Sequence, residues 1–246
     1  KKIKDYFIIL KSIIFYFFLF FYIKYLTKKT EINNNLNKIV LIDTFADTFS
    51  LNSSNQNERL YKGLDKFLKE KKLNYVYFVP TFVIDRNIFN IIKIVKAMQE
   101  RKYLFKEHYL KFKDILFASF HFLRVKKYRK KYVLYDNWNL SKIISEEINS
   151  SKDYSSKIIG ILNYRFAKNL SDKKIPIKKT INRFENQIVD KGWNLGFRRY
   201  FKKIKTYGYQ GFLHFPHFMH SIPTKYEEQA KVIPSEIITV GKIYKK

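Results

Sequence analysis

The chain has 246 residues, enough for one large or two small domains with a substantial core. It has no cysteine, which excludes disulfides and thiolate-bound metals and leaves the redox compartment open. Its formal net charge of +28 points to nucleic acid or an anionic membrane surface, but Lys, Asn, Ile, Phe and Tyr are all favoured by AT-rich coding and no block of five lysines occurs, so charge alone does not choose. The chain starts at Lys1 and closes on a strand-like run, Glu236 to Tyr244, as expected of a piece of a longer protein.

In chain order, residues 6–26 come first. Their unbroken apolar run from Ile13 to Ile23 is 11 residues, against the roughly 20 a spanning helix needs. Apolar residues cover every face of the helical wheel, so a helix that spans, lies in the interface or is buried in protein all remain open. We expect one helix whose apolar surface the rest of the chain leaves partly uncovered, within a hydrophobic segment 1–30 that contacts a membrane or packs on the fold. No small-residue cleavage site follows, which disfavours a signal peptide.

Residues 31–38 form a polar linker, and Lys38 to Asp43 is an apolar run ending in an acid, the pattern of a buried parallel strand. A polar stretch at 51–57 leads to a helix over 58–71. Tyr75–Val79 reads as a strand stopped by Pro80. Asn87–Arg101 reads as a helix with Ile88, Ile91, Ile92 and Val95 on one face, and Glu107–Arg129 as one longer helix. Tyr132–Tyr135 is a short strand, Leu140–Ile148 and Ile158–Leu170 are helical, Ile177–Phe184 is a strand and Glu185–Tyr200 a helix. The alternation predicts an α/β fold, a Rossmann-like parallel sheet flanked by helices, over residues 38–235.

In such a sheet ligands bind beyond the carboxyl ends of the strands. Asp43-Thr44 and Asp47-Thr48 follow the first strand, where Asp43 serves as a functional carboxylate or as a turn residue. Arg59 and Tyr61 open a helix, where a cation can hold a phosphate or stay solvated. Four of the seven glycines lie between Glu185 and Gly211, together with Gln187, Asp190, Lys191, Tyr209 and Gln210, a concentration that marks a built site. Glu185 is placed to act as a general base on a hydroxyl, or to close a capping box begun at Asn182. Gly208-Tyr209-Gln210-Gly211 reads as a flexible bend suited to a sugar or nucleotide edge. His214, His217 and His220 could bind zinc, but Pro216 interrupts the spacing and the surrounding phenylalanines read as an apolar loop, so no metal and no cofactor is expected. No phosphate-binding glycine loop, nucleophile elbow or zinc-protease motif is present.

Glu185-Asn186-Gln187-x-x-Asp190-Lys191, Gly208-Tyr209-Gln210-Gly211, Pro223-Thr224, Val232-Ile233-Pro234 and Val240-Gly241-Lys242 resemble a group of bacterial surface and capsular polysaccharide biosynthesis proteins, regarded as two-domain GT-B glycosyltransferases. So do Ile42-Asp43-Thr44-Phe45, Arg59-Leu60-Tyr61-x-Gly63-Leu64 and Val79-Pro80-Thr81-Phe82, and the likeness runs in patches over residues 38–242. The resemblance implies the acceptor-side domain of an enzyme moving sugar from a nucleotide-sugar donor to a saccharide or lipid-linked acceptor. Residues 236–246 would begin the crossing to a carboxy-terminal domain holding most of the donor, and this segment alone would be inactive. Glu185 or Asp43 would be the base, with Thr44, Arg59, Tyr61, Gln187, Asp190, Lys191, Tyr209 and Gln210 binding substrate. The basic, aromatic amino terminus suits the cytoplasmic membrane face, where each Lys or Arg near anionic lipid adds roughly 1 kcal/mol. The histidine run and the hydrophobic lead-in depart from the family pattern. Two other classes remain: a basic nucleic-acid-binding protein, for which no specific nucleic-acid signature is present, and a non-catalytic membrane-associated scaffold.

Overall fold

In the computed structural model the described residues are 2–32, 38–46, 61, 63–82, 87–99, 103–125, 134–135, 137–149, 153–211 and 221–239. Helix α1 (Lys2–Leu26) leads to β1 (Ile39–Ala46), α2 (Leu64–Glu70), β2 (Val76–Phe82) and α3 (Ile88–Gln99). A 3-10 turn (Lys106–His108) precedes α4 (Phe112–Ser119) and α5 (His121–Val125). A hairpin of β3 (Leu134–Tyr135) and β4 (Trp138–Asn139) follows, then α6 (Ser141–Asn149) and α7 (Tyr154–Asp172). The chain continues through β5 (Ile177–Arg183), α8 (Ile188–Tyr200), β6 (Lys205–Gln210), α9 (Lys225–Gln229) and β7 (Glu236–Thr239). The fold is α/β: β2, β1, β5, β6 and β7 lie side by side in that order, every pair parallel.

Several sequence expectations shift. Pro80 does not stop β2; the strand runs on to Phe82, with Pro80 beside Thr44. β2 is the sheet's edge, where a residue without an N–H leaves no ladder partner unmet. The single helix expected from Glu107 is broken at Lys111, because Asp114 accepts the Lys111 N–H (2.9 Å) and so caps a new helix at Phe112. On α3 the core takes Ile91, Ile94, Val95 and Met98, while Ile88 is exposed. Gly208 to Gln210 is strand rather than bend, and a Cβ on Gly208 would lie 2.5 Å from the Pro234 ring and 2.8 Å from Phe184 Cβ. That glycine lets neighbouring groups approach β6 closely.

The main core lies between the sheet and helices α7 and α8, where Phe166, Trp193 and Phe197 interlock, Trp193 and Phe197 with centroids 4.7 Å apart. The two helices cross on bare backbone. A Cβ on Gly192 would sit 1.9 Å from the Gly160 carbonyl oxygen, and one on Gly196 would sit 2.9 Å from Ala167 Cβ. Two of the glycines that marked the carboxy-terminal cluster therefore serve helix packing.

Helix α1 is a single helix, long and apolar enough to cross a membrane by length and composition. One side is core: Phe15, Tyr16, Leu19, Phe20 and Ile23 are buried, and α1 packs on α4, α7 and the 3-10 turn. Its side-chain burial is worth on the order of 10 kcal/mol before entropy, at about 2 kcal/mol per large apolar side chain, so α1 belongs to the domain. The other side is open, with Phe7 67% and Ile14 60% exposed alongside Ile3, Leu10, Phe21 and Tyr25.

Candidate functional site at the switch point of the sheet

From β1 the chain moves outward to β2, then returns to build β5, β6 and β7 on the other side of β1. Connections that leave neighbouring strands in opposite directions open a crevice at the carboxyl ends of β1 and β5. A cavity of about 360 Å³ lies there. Its walls are Phe45 from β1, Thr81 and Phe82 from β2, Glu185, Gln187, Val189 and Asp190 at the start of α8, Phe15 and Tyr16 from α1, and Ser155, Ser156 and Ile159 from α7. The first turns of two long helices thus meet at one cavity, bringing amide N–H groups that intrahelical bonds leave unused.

Asp43 is buried directly behind this cavity. Its carboxylate accepts the Thr81 hydroxyl (2.9 Å), and the Lys106 ammonium donates to Thr81 Oγ1 (3.2 Å) and to Asn163 Oδ1 (2.7 Å). The Asn163 amide in turn donates to the Val189 carbonyl in the first turn of α8 (3.3 Å). One chain of hydrogen bonds therefore links β1, β2, the 3-10 turn, α7 and α8 around the crevice. Burial pushes the Asp43 carboxyl up to about 6, against the pull of Lys106 and of Thr81. Burial likewise lowers the Lys106 ammonium, which the neighbouring charges of Glu107 and Asp43 partly restore.

Asp190 holds the start of α8. Its Oδ2 accepts the backbone N–H of Glu185 (2.9 Å) and of Gln187 (3.0 Å). The cap expected of Glu185 thus belongs to Asp190, and the helix begins at Ile188 rather than at Glu185. Burial pushes the Asp190 carboxyl up to about 7 despite those two N–H groups, and the charges of Asp43 and Glu185 add to the rise. Glu185 stays half-buried on the cavity wall, ion-paired to Arg183 (2.8 Å) and accepting the Gln187 side-chain amide (2.8 Å). Asp43 lies behind Thr81 and Asp190 is engaged as the cap, so Glu185 is the carboxyl on the wall placed to take a proton from a bound hydroxyl.

The other expected residues fall elsewhere. Thr44 is buried at the end of β1, and its hydroxyl has no partner among the described residues. Tyr61 donates its hydroxyl to the Asp43 carbonyl (3.0 Å) and lies against Tyr209, ring centroids 5.7 Å apart. Lys191 leaves the cavity to pair with Glu227 (2.7 Å). Gln210 is buried two strands from β1 and donates to the Ser221 carbonyl (3.3 Å). Neither Tyr209 nor Gln210 lines the cavity. Arg59, Asp47, Thr48 and the three histidines 214, 217 and 220 lie outside the described residues. Among the described residues no group of three or more His, Asp or Glu side chains comes together to hold a metal.

Sequence reasoning passed over Lys106, Asn163 and the serines of α7. The available signal was Lys106-Glu107-His108 set between Leu104-Phe105 and Tyr109-Leu110, a charged triplet inside an apolar stretch, and all three are buried. Compared with protein-family models, with curated proteins and with solved structures, the chain matches none.

Proposed function

We propose that this chain is the acceptor-side portion of a glycosyltransferase of surface polysaccharide biosynthesis. It would take a sugar from a nucleotide-sugar donor, held mainly by a further domain, to a lipid-linked acceptor at the cytoplasmic face of the membrane. The observation that carries the reading is the cavity at the β1–β5 crevice, where aromatic rings, hydroxyls and the carboxyl groups of Glu185 and Asp190 stand together, with Asp43 behind Thr81. Aromatic faces and convergent polar groups are what a saccharide needs from a binding site. The open apolar side of α1, with exposed Lys4, Lys11, Lys28 and Lys29 on the same segment, suits an anionic lipid surface.

In this reading Glu185 accepts the proton of the acceptor hydroxyl as that oxygen bonds the anomeric carbon and the nucleotide leaves. Glu185 stands on the cavity wall, whereas Asp43 reaches a ligand only through Thr81. The test is sugar transfer by the intact protein, with nucleotide-sugar donors and a polyprenyl-phosphate-linked acceptor. Glu185→Gln should lower turnover about 10²- to 10⁴-fold, the usual worth of a general base, with little change in melting temperature. Unchanged turnover in that variant excludes Glu185. If Asp43→Asn then removes a rise in kcat/KM through pH about 6, Asp43 is the base.

A further inference from the structure

A second, larger groove of about 1060 Å³ runs between α1, α5, α6, α7 and α8. Its lining is mainly apolar, with Ile9, Phe122, Ile161 and Leu195 on the walls. Gly160 and Gly192 also line it, where the α7–α8 crossing brings backbone to backbone and leaves no side chain to fill the space. Polar groups are few and of both signs: Asp5 and Glu147 against Lys157 and Lys191, with His121 and tyrosine hydroxyls. A groove of this volume and character fits a long hydrocarbon better than a sugar.

Two features decide which hydrocarbon. First, the groove is continuous with the open apolar side of α1: Tyr6 and Ile9 line it, while Ile3, Phe7 and Leu10 on the same turns face outward amid exposed Lys4 and Lys11. A chain leaving an anionic bilayer can enter without crossing water. Second, the first turns of α7 and α8 are walls of both cavities. Tyr154, Lys157, Ile188 and Lys191 face the groove, and Ser155, Ser156, Gln187 and Asp190 face the site. We propose that the groove holds the apolar tail of the lipid-linked acceptor and so brings its head group to the cavity beside Glu185. The proposal rests on the membrane-facing role given to α1 above.

The test uses the full chain with vesicles of phosphatidylcholine and phosphatidylglycerol containing a polyprenyl phosphate that carries a diazirine at the far end of its chain. After irradiation, mass spectrometry should find the label on Ile9, Phe122, Ile161 and Leu195 as well as on the outer side of α1. Label confined to Ile3, Phe7, Leu10 and Ile14 overturns the groove assignment while leaving the membrane role of α1 standing. Equal labelling of the groove by a diazirine-tailed phosphatidylglycerol also overturns it, since the groove would then be a site for bulk lipid. Ile161→Trp, which fills the groove, should reduce groove labelling about tenfold, the equivalent of two lost buried methylenes, and leave the outer label unchanged. Leu195→Trp repeats the test from α8 should the first variant melt early. Groove labelling undiminished in a folded variant counts against the proposal. Sugar transfer is not needed for any of these readouts, so a failure of the transferase reading is seen separately.

Discussion

The carboxyl ends of β1 and β6 belong to one sheet and carry similar residues, yet they differ in what surrounds them. At β1 the connections part, Asp43 is buried in a chain of bonds reaching five elements, and a cavity opens beside it. At β6 the neighbours close in: Gly208 admits Pro234, and the Gln210 amide binds the Ser221 carbonyl. Residue chemistry alone places Asp43 and Gln210 in one site; topology separates them. A polar side chain at a strand end faces a ligand only where the crossovers diverge.

Four substitutions test this contrast. The largest effect should come from Lys106→Met, which removes the cation that offsets buried Asp43 through Thr81 and takes its donor from buried Asn163; each unmet buried hydrogen bond costs about 1 to 3 kcal/mol, and the loss should shrink in denaturant melts below pH 6, where Asp43 is protonated. Next is Asp190→Asn. With its carboxyl raised above the unfolded value, Asp190 holds a proton in the folded state that the unfolded chain has released. Its contribution to stability is complete below pH about 4 and declines as pH rises through about 7, by on the order of 4 kcal/mol at the full shift. The asparagine can accept the same two N–H groups, so thermal melts of the variant should match the wild type at pH 4 and exceed it at pH 8. Equal pH slopes in the two proteins would place the titration elsewhere.

On the β6 side, Gly208→Ala should cost about 1 to 3 kcal/mol by overpacking against Pro234, and the protein that remains folded should keep its ligand binding. The smallest change is expected of Gln210→Ala, about 1 kcal/mol for the loss of its bond to the Ser221 carbonyl, with sugar transfer unaffected. A large loss of transfer in Gln210→Ala at constant stability would return β6 to the site.

The sheet was legible at β1, where the apolar run Ile39 to Ile42 ends in Asp43, and at β5, where Ile177, Ile181 and Phe184 stand between two helical stretches. β6 was not, because its buried positions are Thr206, Gly208 and Gln210, a strand whose inward residues are polar or small. The edge position of β2, which lets Pro80 stay in strand, depends on partners far away in sequence. The glycine cluster was read as a site because sequence shows that backbone must approach something closely but not what; for Gly192 that something is Gly160. Asp43 could be found from its place at a strand end. Lys106 could not be joined to it, since their link runs through Thr81 on a third segment.

The seam between β1 and β5 also joins parts of the chain that lie far apart in sequence. α7, β5, α8 and β6 follow one another in the chain and pack on one another, so their contacts close short loops. Pairing β1 with β5 brings Ile39 beside Ile177 and closes a far longer one. The carboxyl-terminal half can therefore form early and receive the β1–β2 pair as a late addition. The crevice carrying Asp43 and Glu185 is the joint between the two, so neither part of the chain holds it alone.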